Sequence, residues 1–141
     1  MSTGKPTLVT GATGYTGRRL VHRLVHCGCN VRVLVRPGSD VQSLPEGVEI
    51  LRGDLDDPAT LRPALEGVNC IYHLAHVRFT ANLLPHVPPD VAHVVIISSL
   101  RALSRVASPT VEQVLSGETA VAGAKVPWTI LRPSMIFGDG D

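Results

Sequence analysis

The sequence predicts an α/β domain built on a parallel sheet, and three observations carry that reading. Short β-branched runs alternate with longer segments of helical period, the runs are apolar throughout, and a glycine-rich turn joins the first run to the first helix. Strands are expected near Thr7 to Thr10, Asn30 to Val35, Val48 to Arg52, Cys70 to Leu74, His93 to Ser98 and Trp128 to Arg132. A strand that is apolar along its length is normally covered on both faces. The expectation is therefore a doubly wound, three-layer αβα arrangement of about six strands.

The helices between them can be placed from period and punctuation. After the first strand, Leu20, Val21, Leu24 and Val25 share one face while Arg18, Arg19, His22 and Arg23 lie elsewhere. Pro58 to Leu65 reads as a helix capped by Asp57, with Gly67 just past its end, and Pro109 to Ala122 as one capped by Ser108. Pro85, Pro88 and Pro89 leave room in the fourth crossover only for a short helix around Phe79 to Leu84. Tyr72 and Trp128 read as core residues whose polar tips bond locally.

At 141 residues and 44% apolar content the chain can bury a continuous core as one domain, 1–141, with no repeat or composition shift. Its 13 basic and 12 acidic residues are scattered and give a net charge of +1, which argues against a nucleic-acid or anionic-membrane partner. A small molecule is the expected partner. Cys27, Cys29 and Cys70 cannot all pair internally, and the Cys27/Cys29 pair beside His22 and His26 lacks the second pair a zinc site needs, so no metal is expected. The N-terminus lacks the charged and apolar regions of a signal peptide, and the apolar stretches fall well short of the roughly 20 residues of a membrane span. Together these predict a soluble, cytoplasmic protein.

The chemistry is concentrated in the segment from Val9 to Gly17. Gly11, Gly14 and Gly17 follow a strand and open a helix, which is the context in which such glycines hold a dinucleotide. Gly11 would permit the sharp turn, Gly14 the approach of backbone to pyrophosphate, and Gly17 the packing of helix on strand. Thr13, Tyr15 and Thr16 complete the loop, and the amides of Tyr15 and Thr16 face the phosphates with the helix dipole behind them. At the end of the second strand an acid would serve the ribose of NAD, whereas an arginine would pair with the 2′-phosphate of NADP. Arg36 stands there, followed by Pro37, Gly38 and Ser39, with Arg18 at the helix start adding to it. NADP is therefore the expected cofactor, with NAD open if Asp40 serves the ribose and Arg36 is a solvated loop residue.

The blocks Thr10 to Gly17, Arg52 to Asp57, Ile71 to Ala75, Ile97 to Ser99 and Trp128 to Gly138 together resemble the short-chain dehydrogenase/reductase superfamily, in its extended and atypical branches. Those branches include epimerase/dehydratase and nitrogen-metabolite-repressor-like proteins. The resemblance implies a Rossmann-type fold lacking most or all of a C-terminal substrate domain. It also implies adenine contacts from Asp54 and Leu55, ribose contacts from Leu74 and Ala75, and Pro133 to Met135 near the nicotinamide. The lesser alternative is that Asp54 is a turn or capping aspartate.

The resemblance fails at the catalytic residues. Family members commonly pair a tyrosine with a lysine four residues on, to exchange a proton with the substrate as hydride moves. Neither Tyr15 nor Tyr72 is so followed; those positions hold Arg19 and His76, and aligning the last helix puts Thr110 and Val114 at the family's pair. The family's serine position falls at Ser99 or, one residue on, at Leu100, and His76 is a candidate acid or base. Ser98 and Ser99 read equally as strand-end caps, and His76 as a packed or solvated residue. Two functions follow: an NADP-dependent oxidoreductase or epimerase/dehydratase-like enzyme acting on an unidentified small molecule, or a cofactor-binding sensor or assembly subunit without chemistry. The final strand offers an edge through which a homo-oligomer could pair.

Overall fold

The computed structural model of the chain describes residues 4–140. Six strands, β1 (Thr7–Thr10), β2 (Val31–Val35), β3 (Glu49–Arg52), β4 (Cys70–His73), β5 (His93–Ile97) and β6 (Trp128–Leu131), form one sheet in the order β3-β2-β1-β4-β5-β6. Every pairing is parallel. The long helices are α1 (Tyr15–His26), α2 (Pro58–Leu65) and α4 (Pro109–Ala122), with the four-residue α3 (Thr80–Leu83) between 3-10 turns at Val77–Phe79 and Leu84–His86. This is the doubly wound Rossmann-type αβα fold, and the fourth crossover is shortened where its prolines fall.

Local chemistry explains the helix ends. The Asp57 carboxylate accepts from the Ala59 amide at 3.1 Å, and Ser108 Oγ accepts from the Val111 amide at 3.2 Å. Each satisfies one of the first-turn donors that a helix leaves unpaired. Arg32 of β2 pairs with Glu49 of β3 at 2.7 Å and donates to the carbonyl of Glu66 just past α2 at 2.6 Å. One side chain thus ties an edge strand to the end of the helix that follows it.

The sheet divides the core in two. Leu8, Ile71, Val94 and Ile96 pack with Leu61 and Leu65 of α2, Leu83 of α3, and Val114 and Val121 of α4. On the opposite face, Val9, Val33 and Val35 pack with Val21 of α1, flanked by Leu20, Leu24 and Val25. The layers are uneven, because three helices cover one face and only α1 covers the other among the described residues. Consequently the expectation of strands covered on both faces fails at the sheet edges. Three of the four residues of β3 and of β6 are exposed, and Trp128 is 41% exposed rather than a core residue.

Helix α4 comes unusually close to the crossover after β4. A Cβ on Gly117 would run into the Val77 carbonyl. Beside it the buried Thr80 hydroxyl lies 2.8 Å from that carbonyl and 2.5 Å from the Gly117 carbonyl, sharing its one proton. Helix propensity alone would make Gly117→Ala stabilising by about 1 kcal/mol. Backbone overlap is the larger effect, so the substitution is expected to destabilise by roughly 1–3 kcal/mol in denaturant unfolding. A gain in stability would show that the contact is loose.

Candidate cofactor site

A cleft of about 510 Å³ opens at the carboxyl ends of the strands. It lies where the sheet order reverses, with β2 on one side of β1 and β4 on the other, the position at which open α/β sheets take ligands. Its walls come from the turn after β1 (Gly11 to Gly14), the end of β2 with Arg36 and Ser39, Gly53 to Leu55 after β3, and Leu74, Ala75, His76, Arg78 and Phe79 after β4. The size falls within the class of small-molecule sites.

The glycines shape this cleft. Gly11 has φ +69°, and a Cβ there would lie 2.6 Å from the Leu74 and Ala75 backbone. Gly17 is buried, and a Cβ there would run into the Gly11 carbonyl. Gly14 donates its amide to the Gly11 carbonyl at 3.1 Å and serves as the N-cap of α1. No side chain caps that helix and no acid lies in its first turn, so its positive end meets the cleft without a neutralising charge. An uncapped helix start behind a bare backbone turn fits a pyrophosphate. Tyr15, Thr16 and Gly17 occupy the first turn and do not line the cleft.

A buried pair holds the two sides of the turn together. Thr10 Oγ1 lies 2.7 Å from His73 Nδ1, and the Leu74 amide donates to the Thr10 carbonyl at 3.1 Å. His73 is fully buried and its Nε2 has no protein partner. Burial pushes its pKa down to about 4, against a backbone hydrogen bond at His76 that raises it and with the charge of His76 a smaller lowering effect, so the ring is neutral at pH 7.

The loop after β2 places its charged side chains differently. Arg36 and Ser39 line the cleft, whereas Asp40 lies outside it and accepts from the Gln42 amide at 2.9 Å in a local turn. Arg18 also lies elsewhere, donating to the Gly140 carbonyl at 2.9 Å. Asp54 is both a cleft residue and a turn residue. It lines the cleft, and its carboxylate accepts from the Asp56 amide at 2.9 Å, while Thr60 Oγ1 accepts from the Asp54 amide at 2.9 Å and pins the turn.

The far end is organised by residues that local sequence reading did not single out. Ser98 Oγ donates to Glu118 of α4 at 2.5 Å, and Arg132 grips the same carboxylate with two nitrogens at 2.9 and 2.7 Å. The Arg132 guanidinium holds the Glu118 carboxyl below its usual range, with Ser98 adding to the effect and burial opposing it. Ser99 accepts from the Arg101 amide at 3.2 Å, and Pro133 accepts from Leu100 at 3.1 Å, so both lie at strand ends beyond the cleft walls. His76 lines the cleft with Nδ1 accepting from the Arg78 amide at 3.1 Å; burial and then the Arg78 charge lower its pKa. Arg78 stacks on Phe79 at 4.2 Å, and the two form a wall that sequence reading missed. Val114, at the family's lysine position, is 2% exposed within the core.

Fold and cleft define a dinucleotide-binding α/β protein. The chain matches the NAD(P)H-binding family over residues 11–141 and belongs to it, as an extended or atypical short-chain dehydrogenase/reductase-type protein. It is 33% identical over 138 residues to the (4-alkanoyl-5-oxo-2,5-dihydrofuran-3-yl)methyl phosphate reductase of Streptomyces griseus, covering 89% of this chain and 46% of that one. It is 31% identical over 153 residues to the ceramide reductase of Caulobacter vibrioides, covering 94% and 47%. The NAD-bound structure of a short-chain dehydrogenase/reductase superfamily protein from Agrobacterium tumefaciens superposes with a TM-score of 0.76 at 26% identity, covering 90% and 48%. The chain thus spans about half the length of these relatives. No helix among the described residues is long and apolar enough to cross a membrane.

His73 makes stability depend on pH in a defined direction. Its folded pKa of about 4 lies below the ordinary 6.5, so the unfolded chain takes up the proton first. Stability is fully present above about pH 6.5 and is lost as pH falls toward 4, by about 3 kcal/mol in all. Compared with His73→Asn in denaturant unfolding between those limits, wild type should lose stability more steeply. Parallel pH curves would show that His73 does not supply the dependence.

Proposed function

We propose that the chain is the cofactor-holding domain, residues 1–141, of a cytoplasmic NADP(H)-dependent oxidoreductase. The cofactor choice is carried by the loop after β2, where Arg36 and Ser39, not Asp40, reach the cleft. A guanidinium and a hydroxyl there favour a 2′-phosphate over a bare ribose. In this reading the turn from Gly11 through Thr13 to Gly14, with the amides of Tyr15, Thr16 and Gly17, holds the pyrophosphate. Asp54 and Leu55 hold the adenine, Leu74 and Ala75 lie along the ribose, and Pro133 borders the nicotinamide. The bound dinucleotide supplies the hydride carrier. The unpaired Cys27, Cys29 and Cys70 fit a reducing compartment.

The reductase names of the two relatives covering most of this chain support an oxidoreductase. Proton handling falls to His76 and Ser99. His76 Nδ1 accepts from the Arg78 amide, which leaves the proton of the neutral ring on Nε2 as a hydrogen-bond donor, and Ser99 retains its hydroxyl proton while its oxygen accepts from Arg101. A second reading is favoured by Val114: with an apolar core residue where the family carries lysine, the domain suits cofactor binding without hydride chemistry, as in a sensor or assembly subunit.

Titration with NADPH and NADH tests the cofactor. Arg36→Ala should weaken NADPH by about 10- to 100-fold, the worth of a charge-assisted hydrogen bond, and leave NADH nearly unchanged. Equal losses, or tighter NADH binding by wild type, would remove the NADP assignment. Single-turnover oxidation of bound NADPH with carbonyl and quinone substrates separates the two readings. Turnover that His76→Ala and Ser99→Ala both reduce supports the enzyme, and no turnover with tight binding supports the sensor.

A further inference from the structure

We propose that Arg52 is a positioning residue for cofactor discrimination, strapping the Arg36 to Ser39 loop into the shape that receives a 2′-phosphate. The inference rests on the NADP(H) reading above. Arg52 Nη1 lies 3.2 Å from the carbonyl of Arg36, 2.9 Å from that of Pro37 and 3.2 Å from that of Ser39. Three of the four carbonyls of the loop converge on one guanidinium nitrogen. Arg52 itself is exposed and does not line the cleft.

The register places the strap. Arg52 ends β3 opposite Val35, the last residue of β2, and the Gly53 amide donates to the Val35 carbonyl at 2.9 Å. The guanidinium therefore starts level with the point where the loop leaves the sheet. The loop has little to hold itself. Pro37 has no amide proton, Gly38 has no side chain, and the backbone bond within the loop runs from the Ser39 amide to the Arg36 carbonyl at 3.0 Å. An exposed segment of this kind samples many conformations unless an outside group collects its carbonyls. Fixing it before binding lowers the entropic cost of placing Arg36 and Ser39 on a phosphate. That benefit accrues only to a ligand that uses the loop, so it appears as selectivity for NADPH over NADH. Nη1 carries two protons for three carbonyls, so the carbonyls share them, and it stands one bond farther from the backbone than the ammonium of a lysine would.

The test is titration of the purified protein with NADPH and NADH for wild type, Arg52→Met, Arg52→Lys and Arg36→Ala. Arg52→Met should weaken NADPH by about tenfold and NADH by no more than about twofold. Arg52→Lys keeps the charge but not the reach and should resemble Arg52→Met. Equal losses for both cofactors in Arg52→Met would mean a general structural role and overturn the proposal. Wild-type selectivity in Arg52→Lys would overturn it by showing that charge alone suffices. If Arg36→Ala leaves the NADPH to NADH ratio unchanged, the NADP(H) reading itself fails. If Arg36→Ala changes the ratio and Arg52→Met does not, only the strap fails.

Discussion

At the carboxyl end of β1 three stretches of backbone meet at distances that no Cβ would allow, and the cleft is the result. Gly11 turns with φ +69° against the backbone of Leu74 and Ala75, while Gly17 brings the first turn of α1 onto the Gly11 carbonyl. The contact leaves the start of α1 uncapped and open to the cleft. It also fixes the gap between the turn after β1 and the strand across the switch point, a gap that the buried Thr10–His73 pair holds from beneath. Because every component is backbone or buried side chain, the phosphate-facing surface is set before any ligand arrives, and little reorganisation is left for binding.

The cleft and the strand ends beyond it differ in how they are made. The cleft walls after β2 and β3 are assembled from short turns pinned by single polar side chains: Thr60 for the turn at Asp54, and Arg52 for the loop at Arg36. Beyond the cleft, the ends of β5 and β6 are joined by a carboxylate from α4, with Glu118 linking Ser98 to Arg132. That helix is held to the β4 crossover by the close approach of Gly117 to Val77. The helix that carries tyrosine and lysine in related enzymes here contributes a structural carboxylate and an apolar core residue.

Much of this could be read from the chain without a structure. The strands fell within one residue of their expected limits, and α2 and α4 matched at both ends, because their boundaries are written in adjacent residues: Asp57 before Pro58, Ser108 before Pro109, and glycines after each helix. Such signals act over a few residues and do not depend on what lies across the sheet. Of the residues expected at the cofactor or in proton transfer, Gly11, Thr13, Gly14, Arg36, Asp54, Leu55, Leu74, Ala75 and His76 line the cleft, whereas Tyr15, Thr16, Gly17, Ser99 and Pro133 do not. The former sit at strand ends that the βαβ pattern itself locates.

What the sequence by itself determined, then, is the order of strands and helices, the glycine turn and the type of cofactor it suits. The tertiary structure decided which strands are edges, which made Trp128 a surface residue although its apolar run reads as interior. It placed Arg36 in the cleft wall and Asp40 outside it, because only the folded loop shows which one faces the cleft. It alone joined Glu118 to Arg132, Arg52 to the loop 13 to 16 residues before it, and His73 to Thr10. The physical reason is the same in each case. Caps and turns are set by dihedral preferences and neighbours along the chain, whereas burial, edge position and side-chain pairing across crossovers exist only once the sheet has brought distant residues together.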